Sequence, residues 1–212
     1  MQAFHLSSQH DSHGGETTMS IIYRGIHPII IAITGASGMI YAYRLIEILE
    51  SGKIPMHLII TPTAKRLIEI ELSHENGNFI FSGAKVTRYD SSNLETGIAS
   101  GSNPTGGMVI IPASMGTIGR IASGATENLV TRVADVHLKE RRKLIIVSRE
   151  TPLNRIHLEN LLKLNDAGAL ILPAMPSFYS KPKTINELAD TVIGRVLDHL
   201  DIEHDLDIRY SP

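Results

Sequence analysis

From Pro28 onward the apolar residues fall into two alternating textures. Short continuous runs, IIIAI (29–33), MHLIIT (56–61), MVIIPA (108–113), KLIIVSRE (143–150) and ALILP (169–173), have the length of strands and no polar alternation, as required of strands covered on both faces. Between them the spacing turns helical. In MIYAYRLIEILE (39–50), Ile40, Tyr43, Ile46 and Leu49 fall near one face; PTAKRLIEIEL (62–72), the segment 125–140 and RIHLENLLKLNDAG (155–168) read the same way, the last with Gly168 as its C′ residue. The final helix opens with Thr184 and Glu187 in a capping-box spacing and carries Ile185, Leu188, Ala189, Val192, Val196 and Leu200 at helical intervals. Residues 73–106 are rich in Gly, Ser and Asn and read as connection. The alternation predicts a three-layer αβα sandwich around a Rossmann-like parallel sheet of about five or six strands.

Composition narrows this picture. The 212 residues suit one domain, placed at 29–212, behind a polar arm at 1–28. That arm holds His5, His10, His13 and His27 at irregular spacing, which favours an unstructured segment over a metal-binding one. With 20 Lys and Arg against 22 Asp and Glu, the formal charge is −2, which gives no support to a nucleic-acid or anionic-membrane binder. There is no Cys, so disulfide scaffolds, Fe–S clusters, thiol nucleophiles and cysteine-bound zinc are excluded, and a reducing, cytoplasmic setting fits. No apolar run reaches the length of a membrane span.

In a sheet of this kind ligands bind beyond the C-terminal strand ends. The loops there are TGASG (34–38), Thr61 to Thr63, PASMGT (112–117), SRETP (148–152) and PAMPSFYSKP (173–182), and they are expected to converge on one pocket. TGASG offers small residues and a helix N-terminus suited to an anion. Three residues after Gly38, where a dinucleotide fingerprint has Gly, stands Tyr41, which argues against NAD. PASMGT adds the hydroxyls of Ser114 and Thr117. Arg149 and Glu150 lie at the end of a buried strand, either as ligand groups or as an ion pair. Arg132 and Lys139, seven residues apart on a helix, share a face that suits a polyanion or carboxylates. Arg195 lies at the edge of the last helix's apolar stripe, free to reach solvent or the pocket. Phe178 reads as a loop anchor, and Tyr179 as a source of a hydroxyl near phosphate.

Taken in order, TGASG, PASMGT, TRVADVHLKERRKLIIVSRETP, IHLENLLKL and PAMPSFYSKP resemble the flavin prenyltransferase family, formerly described as aromatic-acid or polyprenyl-hydroxybenzoate decarboxylases. The resemblance spans residues 29–210. It implies metal-free transfer of a dimethylallyl group from dimethylallyl monophosphate to N5 and C6 of reduced FMN, giving prenylated FMN for a UbiD-type decarboxylase in quinone or aromatic-acid metabolism. It also implies a large homo-oligomer, commonly a dodecamer, whose sites are shared between subunits. Carried over by motif, Gly35, Ala36, Ser37, Thr61, Ser114, Met115, Gly116, Thr117 and Arg149 bind FMN, with Thr61 standing where many members have Ser. Arg132, Lys139, Tyr179 and Arg195 hold the prenyl phosphate. Ser37, Glu71, Glu150 and Lys139 serve catalysis, Glu150 being the first choice of proton relay. Tyr210 replaces a Trp common in the family, which bears on closure of the tail. Two alternatives remain: an FMN-dependent decarboxylase of cysteine-derived substrates, disfavoured by PASMGT and PAMPSFY where that family has PASANT-like and PxMNxxMW-like segments, and a non-enzymatic FMN carrier.

Overall fold

The isoleucine-rich run Ile29–Ile33 is buried at every position, so both its faces need a covering layer. The computed structural model, which describes residues 20–73, 75–78 and 86–206, supplies them. After β1 (Ile21–Tyr23) come β2 (Ile29–Ile33), α1 (Met39–Ser51), β3 (Met56–Ile60), α2 (Pro62–Glu71), β4 (Val86–Asp90) and a 3₁₀ turn at Gly97–Ala99. The chain continues through β5 (Met108–Ala113), α3 (Met115–Ser123), α4 (Leu129–Lys139), β6 (Leu144–Ser148), α5 (Arg155–Asp166), β7 (Leu170–Ile171), α6 (Ile185–His199) and β8 (Ile202–His204). The main sheet has the order β4-β3-β2-β5-β6-β7, with every adjacent pair parallel. Alternate side chains of the strands feed two cores: Ile29, Ile31 and Ile33 meet α1, α2 and α6, whereas Ile30, Ala32 and Ile110 meet α3, α4 and α5. The expected three-layer architecture is present, and the strand order reverses between β2 and β5.

Helix starts follow local chemistry. Thr61, Ser114, Asn128, Asn154 and Thr184 each accept a backbone N–H in the first turn of α2, α3, α4, α5 and α6. At α6 the Glu187 carboxylate reaches Lys183 N–H (2.6 Å). Gly168, after α5, has φ +102°, as its C′ role requires.

Three stretches of the chain depart from the sequence-based expectation. The polar stretch read as an arm to residue 28 contains β1, which pairs antiparallel with β8, Ile21 opposite His204 and Tyr23 opposite Ile202; residues 1–19 lie outside the described residues. Strand β4 falls in the Gly/Ser/Asn-rich region because it is a half-exposed edge, VTRYD, without an apolar run. The helix expected over 125–140 begins at Leu129, and α3 occupies what read as polar loop, its Gly116 and Gly119 having masked the periodicity.

Between α1 and α6, Arg44 donates to both carboxylate oxygens of Asp190 at 2.8 Å and pairs with Glu47, which also accepts from Tyr43 Oη at 2.6 Å. Burial and that bond push the Tyr43 hydroxyl up to about 12.

Candidate functional site

The five loops at the C-terminal ends of the strands are joined by hydrogen bonds. Fully buried Thr34 sits at the β2/β5 reversal, where Oγ1 donates to Pro112 O (2.8 Å) and accepts from Ser114 N–H (2.8 Å). Thr61 N–H donates to Ile33 O, Arg149 N–H to Ala113 O and Ala174 N–H to Ser148 O. The expected convergence of TGASG, Thr61, PASMGT, SRETP and the Tyr179 loop is therefore a matter of backbone geometry.

Within this cluster close packing by neighbouring side chains holds two positions to glycine. A Cβ on Gly35 would lie 2.6 Å from Thr63 Cγ2, and Gly38, with φ +108°, would meet the Tyr41 ring at 3.0 Å. The start of α3 supplies donors. Ser114 Oγ caps Thr117 N–H (3.3 Å), while the N–H groups of Met115 and Gly116 belong to the first turn, which has no intrahelical acceptor. The Met115 side chain itself lies in the core, so only its backbone can serve a ligand. Ser37 is partly exposed.

The start of α1 behaves differently from the anion cradle that TGASG suggested. The Glu71 carboxylate accepts from Gly38 N–H (2.7 Å) and Met39 N–H (2.9 Å), so the positive end of this helix already has an internal anion. Glu71 thereby fixes the backbone on which Ser37 stands. The unbonded first-turn donors of α3 and the Arg149 guanidinium lie at the same loops.

Arg149 and Glu150 are exposed at the loop confluence. Among the described residues Glu150 accepts from the neighbouring Thr151 N–H (3.1 Å) and neither Arg149 nor Glu150 is in an ion pair, so the two do not form the salt bridge that SRETP suggested. Tyr41 lies beside Arg149; burial pushes its hydroxyl up, and the guanidinium offsets part of the rise. Thr34 was not singled out in the sequence, where it looked like loop, and Tyr41 was read only as a departure from a dinucleotide motif. Phe178, expected to anchor its loop, is 70% exposed, and Tyr179 beside it is 51% exposed.

Among the described residues no hydrogen bond or ion pair joins Lys139 or Arg195 to this cluster. Helices α4 and α6 run back along the sheet, so their C-terminal turns lie where strands begin. Lys143 O, just after α4, accepts from Met108 N–H at the start of β5, and Lys143 Nζ pairs with Asp201, just after α6. The length of a strand of this size, about 17–20 Å, separates the two ends. Lys139 pairs with Glu140 and Arg195 with Asp198 (2.9 Å). Arg132, higher on α4, turns to Ala99 O (3.2 Å) and Asp135 (3.4 Å), so Arg132 and Lys139 do not meet on one anion. A cavity of about 450 Å³ also lies at this far end, lined by Tyr23, Arg24, His27, Lys143 and Asp201. Its cations Arg24 and Lys143 are paired with Glu203 and Asp201, and it is remote from the loop chemistry.

The profile of the family described as Flavoprotein matches residues 19–198. The chain belongs to that family. It is 47% identical over 186 residues to a flavin prenyltransferase UbiX of Methanothermobacter thermautotrophicus, covering 88% of this chain and 96% of that relative. It is 45% identical over 198 residues to the enzyme of the same name from Halalkalibacterium halodurans, covering 90% and 95%. Among solved structures it resembles AnUbiX (PadA1) in complex with FMN and dimethylallyl pyrophosphate, at TM-score 0.76 and 37% identity, covering 82% and 92%. A dodecameric FMN-dependent UbiX-like decarboxylase from Escherichia coli O157:H7 superposes at TM-score 0.80 and 37% identity, covering 87% and 100%. The peptidyl-cysteine decarboxylase EpiD shares only the fold, at 18% identity and TM-score 0.58.

Proposed function

We propose that this flavoprotein is a flavin prenyltransferase that moves a dimethylallyl group from dimethylallyl monophosphate to reduced FMN. The observation that carries this reading is the confluence of five loops around Arg149 and Glu150, charged groups without ion-pair partners among the described residues, in a chain 47% identical to a flavin prenyltransferase. The donors at the start of α3 suit FMN, with Arg149 beside its phosphate or ring edge. Bound FMN supplies the nucleophilic nitrogen and ring carbon that receive the allyl unit.

The residues of the chain account for the rest. Cleaving an allylic C–O bond leaves charge on the phosphate, which cations must stabilise as it develops. Tyr179 and Arg149 lie at the loops for that purpose. Lys139 and Arg195, at the opposite end, serve the site of a neighbouring subunit, so the complete site is composite. Glu150 takes up or relays the proton lost on ring closure, and Glu71, by holding the Gly38 and Met39 amides, keeps Ser37 in place. Exposed Leu158 and Leu162, one turn apart on α5, together with exposed Leu153, Ile156, Met175 and Phe178, are apolar side chains of the kind covered in assemblies; the dodecameric relative supports such packing here. A single FMN-binding domain that takes in β1 as well as the segment from residue 29, metal-free chemistry, a cytoplasmic location and delivery of the product to a UbiD-type decarboxylase complete the proposal.

The test is anaerobic incubation of reduced FMN and dimethylallyl monophosphate with the protein. Mass spectrometry of the extracted flavin should find one added five-carbon unit together with released phosphate. Unmodified flavin with carbon dioxide released from a cysteine-derived acid would reject prenyl transfer.

A further inference from the structure

Arg195 leaves α6 with its side chain 56% exposed, and its NH1 donates to Asp198 Oδ2 at 2.9 Å. An exposed i,i+3 pair is ordinarily held weakly. Here the carboxylate also has a buried imidazole as neighbour. His204, whose side chain is 1% exposed, places Nε2 3.3 Å from Asp198 Oδ1 and 3.1 Å from Gly194 O. Leu206 N–H points at His204 Nδ1 (3.3 Å), so Nδ1 is the acceptor and the neutral ring carries its proton on Nε2. That N–H is directed at Gly194 O, and the Asp198 carboxylate lies beside the same nitrogen at ion-pair distance. The ring is itself fixed in register, because His204 lies on β8 opposite Ile21 of β1, and flanking contacts reinforce the ribbon: Ser20 N–H to Asp205 (2.8 Å) and Arg24 to Glu203 (2.8 Å).

We infer that His204 is a positioning residue for prenyl-phosphate binding: through Nε2 it fixes Asp198, and Asp198 fixes the direction in which Arg195 projects towards a neighbouring subunit's site. The β1–β8 ribbon is then part of the binding machinery, although none of its side chains touches the substrate. The inference rests on the proposed role of Arg195 as a phosphate ligand.

Two substitutions separate the functions of the two ring nitrogens. His204→Gln keeps a donor near the Nε2 position and loses the acceptor for Leu206; His204→Asn keeps an acceptor near Nδ1 and loses the reach to Asp198. The measurements, on full-length FMN-loaded protein, are the KM for dimethylallyl monophosphate and its Kd by calorimetry on the oxidised form, with the FMN Kd alongside. His204→Asn and Asp198→Asn should each weaken prenyl-phosphate binding about tenfold, the scale of one charge-assisted hydrogen bond, with the FMN Kd changed less than about twofold, and His204→Gln should stay near wild type. The reverse pattern, Gln impaired and Asn normal, would mean that His204 merely holds Leu206, and would overturn the inference. Arg195→Ala separates the layers. If it weakens prenyl-phosphate binding while all three other variants behave as wild type, only the positioning role falls; if it binds normally, the reading of Arg195 as a phosphate ligand falls, and the inference with it.

Discussion

Replacing Thr34 with Val tests whether the β2/β5 reversal organises the site. Val is nearly isosteric, so packing around the fully buried side chain survives while its hydroxyl is lost. That hydroxyl makes two bonds of 2.8 Å, one to Pro112 O and one from Ser114 N–H, and no water can readily replace it at such a buried position. A buried polar group left unpaired costs about 1–3 kcal/mol, so two orphaned partners imply a loss of about 2–4 kcal/mol, the upper sum being reduced by relaxation. For a chain of this size each kcal/mol lowers the melting temperature by roughly 2–4 °C, giving a fall of about 5–15 °C. Because Ser114 both caps α3 and leads into its donor turn, the same change should loosen FMN binding by about tenfold or more, equivalent to about 1.4 kcal/mol. Urea titration of the two proteins and fluorescence titration with FMN measure the two effects. Thr34→Ser restores the hydroxyl at the cost of one methyl and should recover most of the FMN affinity. Equal affinities for Val and wild type, or a Ser variant as impaired as Val, would refute the assignment of Thr34 as the link between the loops.

Other perturbations address different parts of the molecule. Glu150→Gln should retain FMN affinity within about threefold while slowing product formation by about 10²-fold or more, read by single-turnover absorbance; unchanged turnover would reassign the residue to structure. Mixing Glu150→Gln subunits with Arg195→Ala subunits, each weakly active, should restore part of the activity if sites are shared, whereas a site within one chain gives no gain. Leu158→Glu with Leu162→Glu, on the exposed side of α5, should shift the mass seen by light scattering towards small species. Burial holds His57 and His137 below the ordinary imidazole range; the neutral forms belong to the folded state, so their contribution is intact above the unfolded value of about 6.5 and is lost as pH falls through the depressed folded values. The urea midpoint should therefore decline between about pH 7 and 5, and His137→Gln should flatten that decline.

Strands β2, β3, β5 and β6 were legible in the sequence because a strand covered on both faces has no choice but to be apolar throughout. The helices α1, α2, α5 and α6 were equally plain from spacing and caps. Strand β4 escaped because an edge strand needs no continuous run, and β1 because Ile21, Ile22 and Tyr23 form too short a patch to stand out in a polar segment. In the site, small-residue loops and the Arg149–Glu150 step could be found from position alone. Thr34 could not, since its importance comes from a bond to a residue 80 positions away. Nor could the place of Glu71 on the α1 amides, which depends on how α2 lies beside α1.

The separation of Lys139 and Arg195 from the loops follows from the same topology that builds the loops. Parallel strands require the chain to return along each crossover helix, so residues late in α4 and α6 are carried to the end where strands begin. Cations paired there with Glu140 and Asp198 make no hydrogen bond or ion pair with the loops of their own chain among the described residues, and charge stabilisation demands contact with the oxygens on which charge develops. Stacking one subunit's strand-start end against another's loop end removes the difficulty and also encloses the pocket, which an allylic cation needs to escape capture by water. On this reading the exposed apolar residues around α5 and the phosphate-binding cations serve one purpose: assembly brings the second set to the site while burying the first. Activity and oligomeric mass should then be lost together on dilution or on α5 substitution, with the fold of the single chain retained.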